Sequence, residues 1–424
     1  MIKLLAYSDS ASTCTGFGVV SKYILGALHA TGNYHIDQLA INYPPRFESL
    51  NSTPWTQIPA RLEDPNDPYG RGLFLRLLAE GDYDIVWILN DLYVTSGMVN
   101  DLKQILARRS NEGFKVPKVV YYYPVDCHVQ EESCDLIRFA DVPVAYTDYG
   151  IKETLKTLPE VEPRLKQIYH GTNTKVYHPV GLEACQELKR KYLNNNAHKF
   201  VFVGVNRNSD RKQISRTILA FNEFKKQVPD SILLLHTMPI DRNLDRVINL
   251  YTCVKDLGLT LEDVLFPKHY QPARGWPEYI LNEIYNMADC FITTHLGEGF
   301  GLSIAEAMAA GTPVIAPDNT NMKELLGRNS ERGYLYPCTD WIYIDNSGYR
   351  PFGTLEDILK QMHRVYRAGD KHSNVKTILA RQWTERNTWE DICKQWVELF
   401  DKTLESSEEV TVEQPTEPIK GDLL

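Results

Sequence analysis

The sequence predicts an α/β protein with two Rossmann-like, doubly wound domains that face each other across a cleft. The chain has 424 residues, which is too long for one ordinary core and suits two domains of about 200 residues each. Apolar, β-branched runs alternate with helix-like segments twice along the chain, as in parallel sheets covered on both faces. The hydrophobic fraction of 43% is large enough to fill two such cores.

The first half of the chain begins like a nucleotide-binding unit. Residues 2–8 (IKLLAYS) predict a strand, followed by the small-residue loop DSASTCTGFG and a helix from Val19 to about Thr31. Continuous apolar runs predict further strands at 83–89, 118–125 and 142–147. Helices are expected between them, near 96–109 and 149–158. The segment 42–68, rich in Pro, Asn and Asp, is predicted to be a long loop or insertion.

The same alternation starts again near residue 199. Strands are predicted, from their apolar and β-branched content, at 199–205, 231–237, 264–267 and 290–295. Helices are predicted through 214–227, near 245–257 and around 277–287. The second half is therefore expected to form a second parallel sheet with its own helices.

Composition excludes several classes of protein. The net charge is −9, and the acidic segment 405–424 carries six of the acids and one lysine, so bulk charge does not favour a nucleic acid or an anionic membrane. The eight cysteines form no CxxC pair, which predicts reduced thiols rather than a zinc site or a disulfide framework. No apolar run approaches the roughly 18–20 residues that cross a bilayer, and the N-terminus turns polar early. We expect a soluble, cytoplasmic protein without a transmembrane segment.

The most informative segment is GEGFGLSIAEAMAAGTPVIAP, residues 297–317. It follows a predicted buried strand, and its glycines allow a sharp turn that approaches a ligand closely. A helix is predicted to begin at Leu302 or Ser303 and to end at Gly311, before the strand PVIAP. The free N–H groups at the start of this helix suit a pyrophosphate.

Two carboxylates flank this turn. Glu298 lies within it, and Glu306 lies one helical turn after Leu302, facing the same cleft. Carboxylates accept hydrogen bonds from hydroxyl groups, and a diol is what a ribose or a hexose offers. The segment therefore predicts a sugar-nucleotide site.

The segment EGFGLSIAEAMAAGTPVIA resembles the E-x7-E signature of retaining glycosyltransferases of family 4, which adopt the two-Rossmann, B-type (GT-B) fold. Three further segments support the resemblance, in the family's order and spacing: HGTNTKVYHP (170–179), FVGVNRNSDRKQ (202–213) and RQWTERNTWEDICKQWVELF (381–400). The resemblance covers roughly residues 1–403. It implies an acceptor-side domain at 1–175, a donor-side domain at 176–375 and a helix at 376–404 that returns to the first domain. We assign the tail at 405–424 to disorder, because it is acidic and poor in aromatic residues.

The resemblance assigns the phosphate-binding residues. Arg207 and Lys212 follow the first strand of the second domain with the family's R-x4-K spacing and are expected to neutralise the leaving diphosphate. Arg211 lies inside the same loop. Gly16 and Gly18 lie in the loop that is expected to close over the diphosphate from the first domain. Gly301, Leu302 and Ser303, at the predicted helix start, complete the phosphate side.

The resemblance also assigns residues around the sugar and the base. Asp126 and His128 follow the strand ending at 125, where similar enzymes place a histidine near the reacting carbon. The order here is Pro-Val-Asp-Cys-His, so either residue is a candidate, and a structural histidine is an equal alternative. Lys268, His269 and Tyr270 follow the strand whose exit loop meets the nucleobase in this fold, and a plain surface loop is equally compatible.

The implied function is transfer of a hexose, with retention of configuration, from a UDP- or GDP-linked sugar to an acceptor hydroxyl. Glu298 is expected to position the donor sugar and Glu306 to hold the ribose. No Asp-x-Asp motif lies at a strand end, so we expect no metal and no cofactor beyond the donor substrate. A glycan, a protein, a small molecule or a modified nucleic-acid base all remain open as acceptor. The alternatives are an epimerase or phosphorylase of the same fold and a catalytically silent sugar-nucleotide binding protein.

Overall fold

The computed structural model describes residues 1–43, 53–241, 248–268, 270, 275–344 and 348–408. The strands of the first half are β1 (Ile2–Asp9), β2 (Tyr34–Ile41), β3 (Thr56–Pro59), β4 (Ile85–Leu89), β5 (Lys118–Tyr123), β6 (Val142–Ala145) and β7 (Lys166–Gln167). Among the described residues they form one parallel sheet in the order β3-β2-β1-β4-β5-β6-β7. The helices are α1 (Gly16–Ala30), α2 (Arg71–Glu80), α3 (Leu92–Thr95), α4 (Val99–Asn111), α5 (Asp135–Phe139) and α6 (Asp148–Thr157).

A second parallel sheet follows. Its strands are β8 (Phe200–Val205), β9 (Ser231–His236), β10 (Val264–Leu265), β11 (Cys290–Ile292), β12 (Val314–Pro317) and β13 (Tyr334–Tyr336), in the order β10-β9-β8-β11-β12-β13. The remaining strands, β14 (Asp340–Ile344) and β15 (Gly348–Phe352), form an antiparallel hairpin. The helices are α7 (Leu182–Leu193), α8 (Ile214–Gln227), α9 (Leu250–Asp256), α10 (Glu278–Met287), α11 (Leu302–Ala309), α12 (Met322–Leu326), α13 (Leu355–Ala368), α14 (Val375–Glu385) and α15 (Trp389–Glu408).

The two parallel-sheet α/β domains confirm the predicted fold class. The central strands are apolar because helices cover both faces: every residue of β4 (IVWIL) is buried. In both sheets the strand order reverses beside the first strand, between β1 and β4 and between β8 and β11. Ligands of doubly wound folds bind at such a switch point, beyond the carboxyl ends of the strands. The topology therefore predicts that a ligand binds among the loops that follow these strands.

Three elements differ from the sequence prediction. The segment 42–68 is not entirely loop, because it contains β3, although 44–52 lie outside the described residues. Pro59 obscured this strand, but β3 lies at the edge of the sheet, where a proline is tolerated. The hairpin β14–β15 has no counterpart in the repeating pattern from which the fold was predicted. The predicted single helix at 376–404 is two helices, α14 and α15, separated at 386–388. The second continues to Glu408, past the start of the segment assigned to disorder at 405, and the remainder of the tail lies outside the described residues.

The last helix packs on the first sheet. Trp396 of α15 is fully buried, and its ring lies 5.9 Å from that of Trp87 in β4 and 4.7 Å from that of Tyr122 in β5, between ring centroids. The division at 175/176 and 375/376 remains our proposal, since the described core is continuous across it. No helix among the described residues is both long enough and apolar enough to span a membrane.

Trp396→Ala is expected to lower the free energy of unfolding by about 3–5 kcal/mol, because it leaves a cavity between α15 and the first sheet. The urea midpoint measures this loss. Trp341→Ala is the matched control, since that tryptophan is 63% exposed on the hairpin and its removal is expected to change stability by less than about 0.5 kcal/mol. Equal loss in the two variants would show that α15 does not brace the first domain.

Candidate active site

The glycine-rich turn after β11 leads directly into α11. The helix begins at Leu302, as predicted, and its N-cap residue Gly301 has a φ of 101°, in the left-handed region that favours glycine. Gly311, with a φ of 73°, follows its end. Glu298 lies within the turn and is 6% exposed. Glu298 and the first N–H groups of α11 therefore lie within one short segment of the chain.

Two cations hold Glu298. The loop after β8 places Lys212 in contact with one carboxylate oxygen, and Arg211 Nη1 lies 3.2 Å from the other. Arg211 also donates to the carbonyl of Gly297. Burial alone would raise the pKa of Glu298, but Lys212 and Arg211 outweigh it and hold that pKa well below its ordinary value. Burial lowers the pKa of Lys212, which Glu298 partly restores.

Asp126 extends this group of charges across the cleft. It follows β5 of the first domain, and its carboxylate lies 3.1 Å from Arg211 Nε and 2.9 Å from Arg350 Nη2. Burial opposes its charge, yet Arg211 and Arg350 outweigh burial and lower the pKa of Asp126. We call Asp126, Arg211, Lys212, Glu298 and Arg350 the interdomain ion network.

The backbones of the two domains also meet at this point. A Cβ added to Gly297 would lie 2.0 Å from the carbonyl oxygen of Asp126 and 2.7 Å from Arg350 Nη1. Only glycine fits such an approach. The turn that carries Glu298 is therefore pressed directly against the loop that carries Asp126.

Arg207 does not join Glu298. Its Nε lies 2.9 Å from the buried carboxylate of Asp241, and its side chain is 57% exposed. Burial raises the pKa of Asp9, at the end of β1, and Arg207 counteracts part of that rise, so this arginine faces the first domain. The structure thus separates the R-x4-K pair, with Lys212 at Glu298 and Arg207 at Asp241 of the same domain.

Glu306 lines a small cavity whose other lining residues do not belong to the interdomain ion network. It accepts a 2.8 Å hydrogen bond from the Tyr285 hydroxyl and shares the cavity with residues of both domains: Val19, Gly171, Thr172, Asn173, Tyr177, Glu278, Leu302 and Trp389. Burial raises the pKa of Glu306 to about 8, against hydrogen bonds from Tyr285 and Tyr177. Glu306 and Leu302 face the same space, as their helical spacing predicts.

The remaining phosphate-side residues lie near α11. Gly16 begins α1, and a Cβ built on it would lie 3.9 Å from Leu302 Cδ1, so the first-domain loop meets the helix start. Gly18 lies within α1 against Thr13 and Ser10, and internal packing accounts for its small size. Ser303 is partly exposed in the first turn of α11.

His128 and the base-side residues lie apart from the network. His128 Nδ1 lies 3.1 Å from Glu153 of α6, and the His128 side chain is 68% exposed. Lys268 is exposed, and His269 lies outside the described residues. An aromatic group lies at the end of β9 instead: the ring of His236 is 5.1 Å from that of Tyr270 and 4.3 Å from that of Trp276, between centroids.

Sequence reasoning missed two charged residues of the cleft. Arg350 lies on β15, outside the repeating pattern, so no sequence signal indicated it. Asp91 lies two residues beyond the end of β4, and the position that singled out Asp126 beyond β5 could have found it. Burial raises the pKa of Asp91 to about 7, with Asp126 adding to the rise and Arg211 opposing it. Asp91 and Asp126 therefore add hydrogen-bond acceptors to the first-domain side of the cleft.

Part of the chain resembles known glycosyltransferases in sequence. Residues 273–346 match the family described as glycosyl transferases group 1. A 60-residue stretch is 35% identical to a putative glycosyltransferase, EpsD, of Bacillus subtilis (strain 168), and it covers 14% of this chain and 16% of that protein. The chain thus aligns with about a sixth of that relative's length. The residues that match the family include the turn of Glu298 and all of α11.

Solved structures resemble the whole chain. Sucrose-phosphate synthase from Thermosynechococcus elongatus has a TM-score of 0.70 and 18% identity, over 96% of this chain and 100% of that one. HepE from Anabaena, in complex with UDP and glucose, has a TM-score of 0.68 and 17% identity, over 95% of this chain and 100% of that one. At such identities the likeness shows the fold, which is that of the GT-B glycosyltransferases.

The raised pKa of Glu306 predicts a pH dependence of stability. The folded protein retains the proton up to about pH 8, whereas an unfolded glutamate loses it near 4.5. The stability that this proton contributes is therefore complete below pH 4.5 and is lost as the pH rises toward 8. The free energy of unfolding, measured by urea titration at several pH values, should fall more steeply for the wild type than for Glu306→Gln, by up to about 1.4 kcal/mol per pH unit.

The exposed Glu183→Gln is the control for removal of a negative charge and is expected to keep the wild-type profile. Parallel profiles of the wild type and Glu306→Gln across this range would contradict a protonated Glu306.

Proposed function

We propose that this protein is a retaining glycosyltransferase that moves a hexose from a UDP-sugar to an acceptor hydroxyl. The observation that carries the proposal is the contact of Lys212 and Arg211 with Glu298, four residues before α11 begins, at the switch point of the second sheet. Departure of a nucleoside diphosphate leaves an oxocarbenium-like sugar and places negative charge on phosphate. The site supplies positive charge beside an acid that accepts sugar hydroxyls.

The charges of the interdomain ion network suit a bound diphosphate. Three cations, Arg211, Lys212 and Arg350, face two carboxylates, Asp126 and Glu298, so the described network carries one excess positive charge. Lys212 has three N–H donors and gives one to Glu298. We propose that Lys212 and the first N–H groups of α11, from Leu302 and Ser303, stabilise the leaving phosphate. We propose that Arg207, exposed beside Asp241, contributes a further positive charge.

Glu298 and Glu306 receive different roles in this scheme. Glu298 remains ionised between two cations and so accepts hydrogen bonds from hydroxyls of the donor sugar. Glu306 lies apart, among tyrosines, and we propose that it holds the ribose diol. We propose further that Tyr270 and Trp276, at the end of β9, flank the uracil.

The donor nucleotide and the metal requirement complete the proposal. UDP is favoured over GDP because the similar structure of Anabaena HepE contains UDP and glucose. Metal independence is proposed because side-chain cations and a helix N-terminus can together balance the phosphate charge. Activity that persists in excess EDTA would support this choice, and activity that requires an added divalent cation would contradict it.

Nucleotide release tests the function directly. Purified protein is expected to release UDP from UDP-glucose or another UDP-sugar faster with a glycan, protein or small-molecule acceptor than by hydrolysis alone, and NMR of the product should show the donor's anomeric configuration. Epimerised nucleotide sugar, phosphate-dependent release or the inverted anomer would each replace the proposal with another reaction. Tight UDP binding without release would indicate a silent binding protein.

The two glutamates provide a second test. Glu298→Ala is expected to lower turnover by about 10²–10³, comparable to the loss of one transition-state contact, while UDP affinity changes little. Glu306→Ala is expected chiefly to weaken UDP binding, which calorimetry measures. Glu183→Ala is the control, since Glu183 is exposed on α7 and lies outside the network and the Glu306 cavity. Equal loss of affinity and turnover in both glutamate variants would contradict the division of roles.

A further inference from the structure

The hairpin β14–β15 carries one buried charge among exposed aromatic residues. Its outer face carries Trp341, Tyr343 and Tyr349, each more than 60% exposed, whereas Arg350, the residue after Tyr349, is 3% exposed. Successive strand residues point to opposite faces, so Arg350 points inward from an otherwise exposed hairpin. Burial of a charge is costly unless it is paired, and the pairing therefore indicates what the hairpin does.

The hairpin belongs to the second domain. The guanidinium of Arg216, on α8, lies over the ring of Phe352 at 4.5 Å from its centroid, and Arg216 also donates to the carbonyl of Gly353. From this base Arg350 reaches the first domain, where Nη1 donates to the Asp126 carbonyl at 2.6 Å and Nη2 to its carboxylate at 2.9 Å. One guanidinium thus fixes both the backbone and the side chain of Asp126.

Asp126 transmits this constraint to the candidate catalytic residues. Its second carboxylate oxygen lies 3.1 Å from Arg211 Nε, and Arg211 in turn contacts Glu298 and the carbonyl of Gly297. Arg350 Nη1 also lies against Gly297, at 2.7 Å from the Cβ position of that glycine. Arg350 therefore reaches the turn of Glu298 both directly and through Asp126.

We propose that Arg350 is a positioning residue for glycosyl transfer, holding Asp126 against Arg211 so that Glu298 keeps the orientation that binds the donor sugar. This inference rests on the proposed function and adds to it a residue of the β14–β15 hairpin. Arg350 does not contact the donor in this scheme. Its effect belongs to the sugar half of the site, because the cavity of Glu306 lies apart from the network.

Arg350→Met tests the proposal with UDP-glucose and UDP as probes. Loss of the two hydrogen bonds to Asp126 is expected to lower the kcat for UDP release by about 10²-fold, which is the effect of a small misplacement in a catalytic site. Arg350→Met also removes the excess positive charge of the network, so UDP affinity is compared in Arg350→Lys, where the Kd of UDP alone should stay within about twofold of the wild-type value because position 350 lies outside the Glu306 cavity. Arg350→Lys keeps the charge but not the forked geometry and should give an intermediate kcat.

A double-mutant cycle tests the route through Asp126. If Arg350 acts through Asp126, then Arg350→Met combined with Asp126→Asn should lower kcat no further than the worse single variant. Arg109→Met is the matched control, because Arg109 is 4% exposed and donates to backbone carbonyls of Leu78, Ala79 and Lys115, outside the network. It is expected to lower the urea midpoint without changing kcat.

The outcomes separate this inference from the proposed function. A wild type that releases no UDP from any UDP-sugar would overturn both. An active wild type with unchanged kcat in Arg350→Met, or with fully additive effects in the cycle, would overturn the positioning role alone. A loss of UDP affinity in proportion to kcat in Arg350→Lys would overturn it too, since that result indicates a structural role only.

Discussion

The constraint on which the site depends is charge pairing across the cleft. Glu298 is buried and remains ionised because Lys212 and Arg211 lie against it, and Asp126 remains ionised because Arg211 and Arg350 do. Removal of one partner from a buried pair leaves an uncompensated charge, which is more costly than the pair itself. The two domains are therefore joined by groups that also suit chemistry on a phosphate ester. Structure and proposed function share the same five side chains.

The separation of the two glutamates follows from their surroundings. Cations lower the pKa of Glu298, whereas burial among tyrosines raises that of Glu306 to about 8. Two carboxyl groups eight residues apart thus differ in charge at neutral pH. An ionised acid suits the site where positive charge develops on a sugar, and a protonated acid can both donate to and accept from neutral ribose hydroxyls.

The sequence was sufficient for the elements that follow a local rule. Glycine and strand patterns predicted that α11 would begin at Leu302, and alternation of apolar runs predicted two parallel sheets. The sequence was not sufficient for residues whose partners lie far away along the chain. Arg207 and Lys212 form one motif, yet in the folded chain Arg207 pairs with Asp241 and Lys212 pairs with Glu298. Arg350 lies 224 residues from Asp126 in a hairpin without Rossmann periodicity, so only the folded chain shows their contact.

An experimental structure of the complex with UDP-glucose tests the central claim most directly. The account predicts the diphosphate at the start of α11 with Lys212 Nζ within hydrogen-bond distance, glucose hydroxyls on Glu298 and the ribose diol on Glu306. It also predicts that Asp126 still bridges Arg211 and Arg350. A nucleotide bound outside this cleft, or bound within it with glucose turned away from Glu298, would contradict the account.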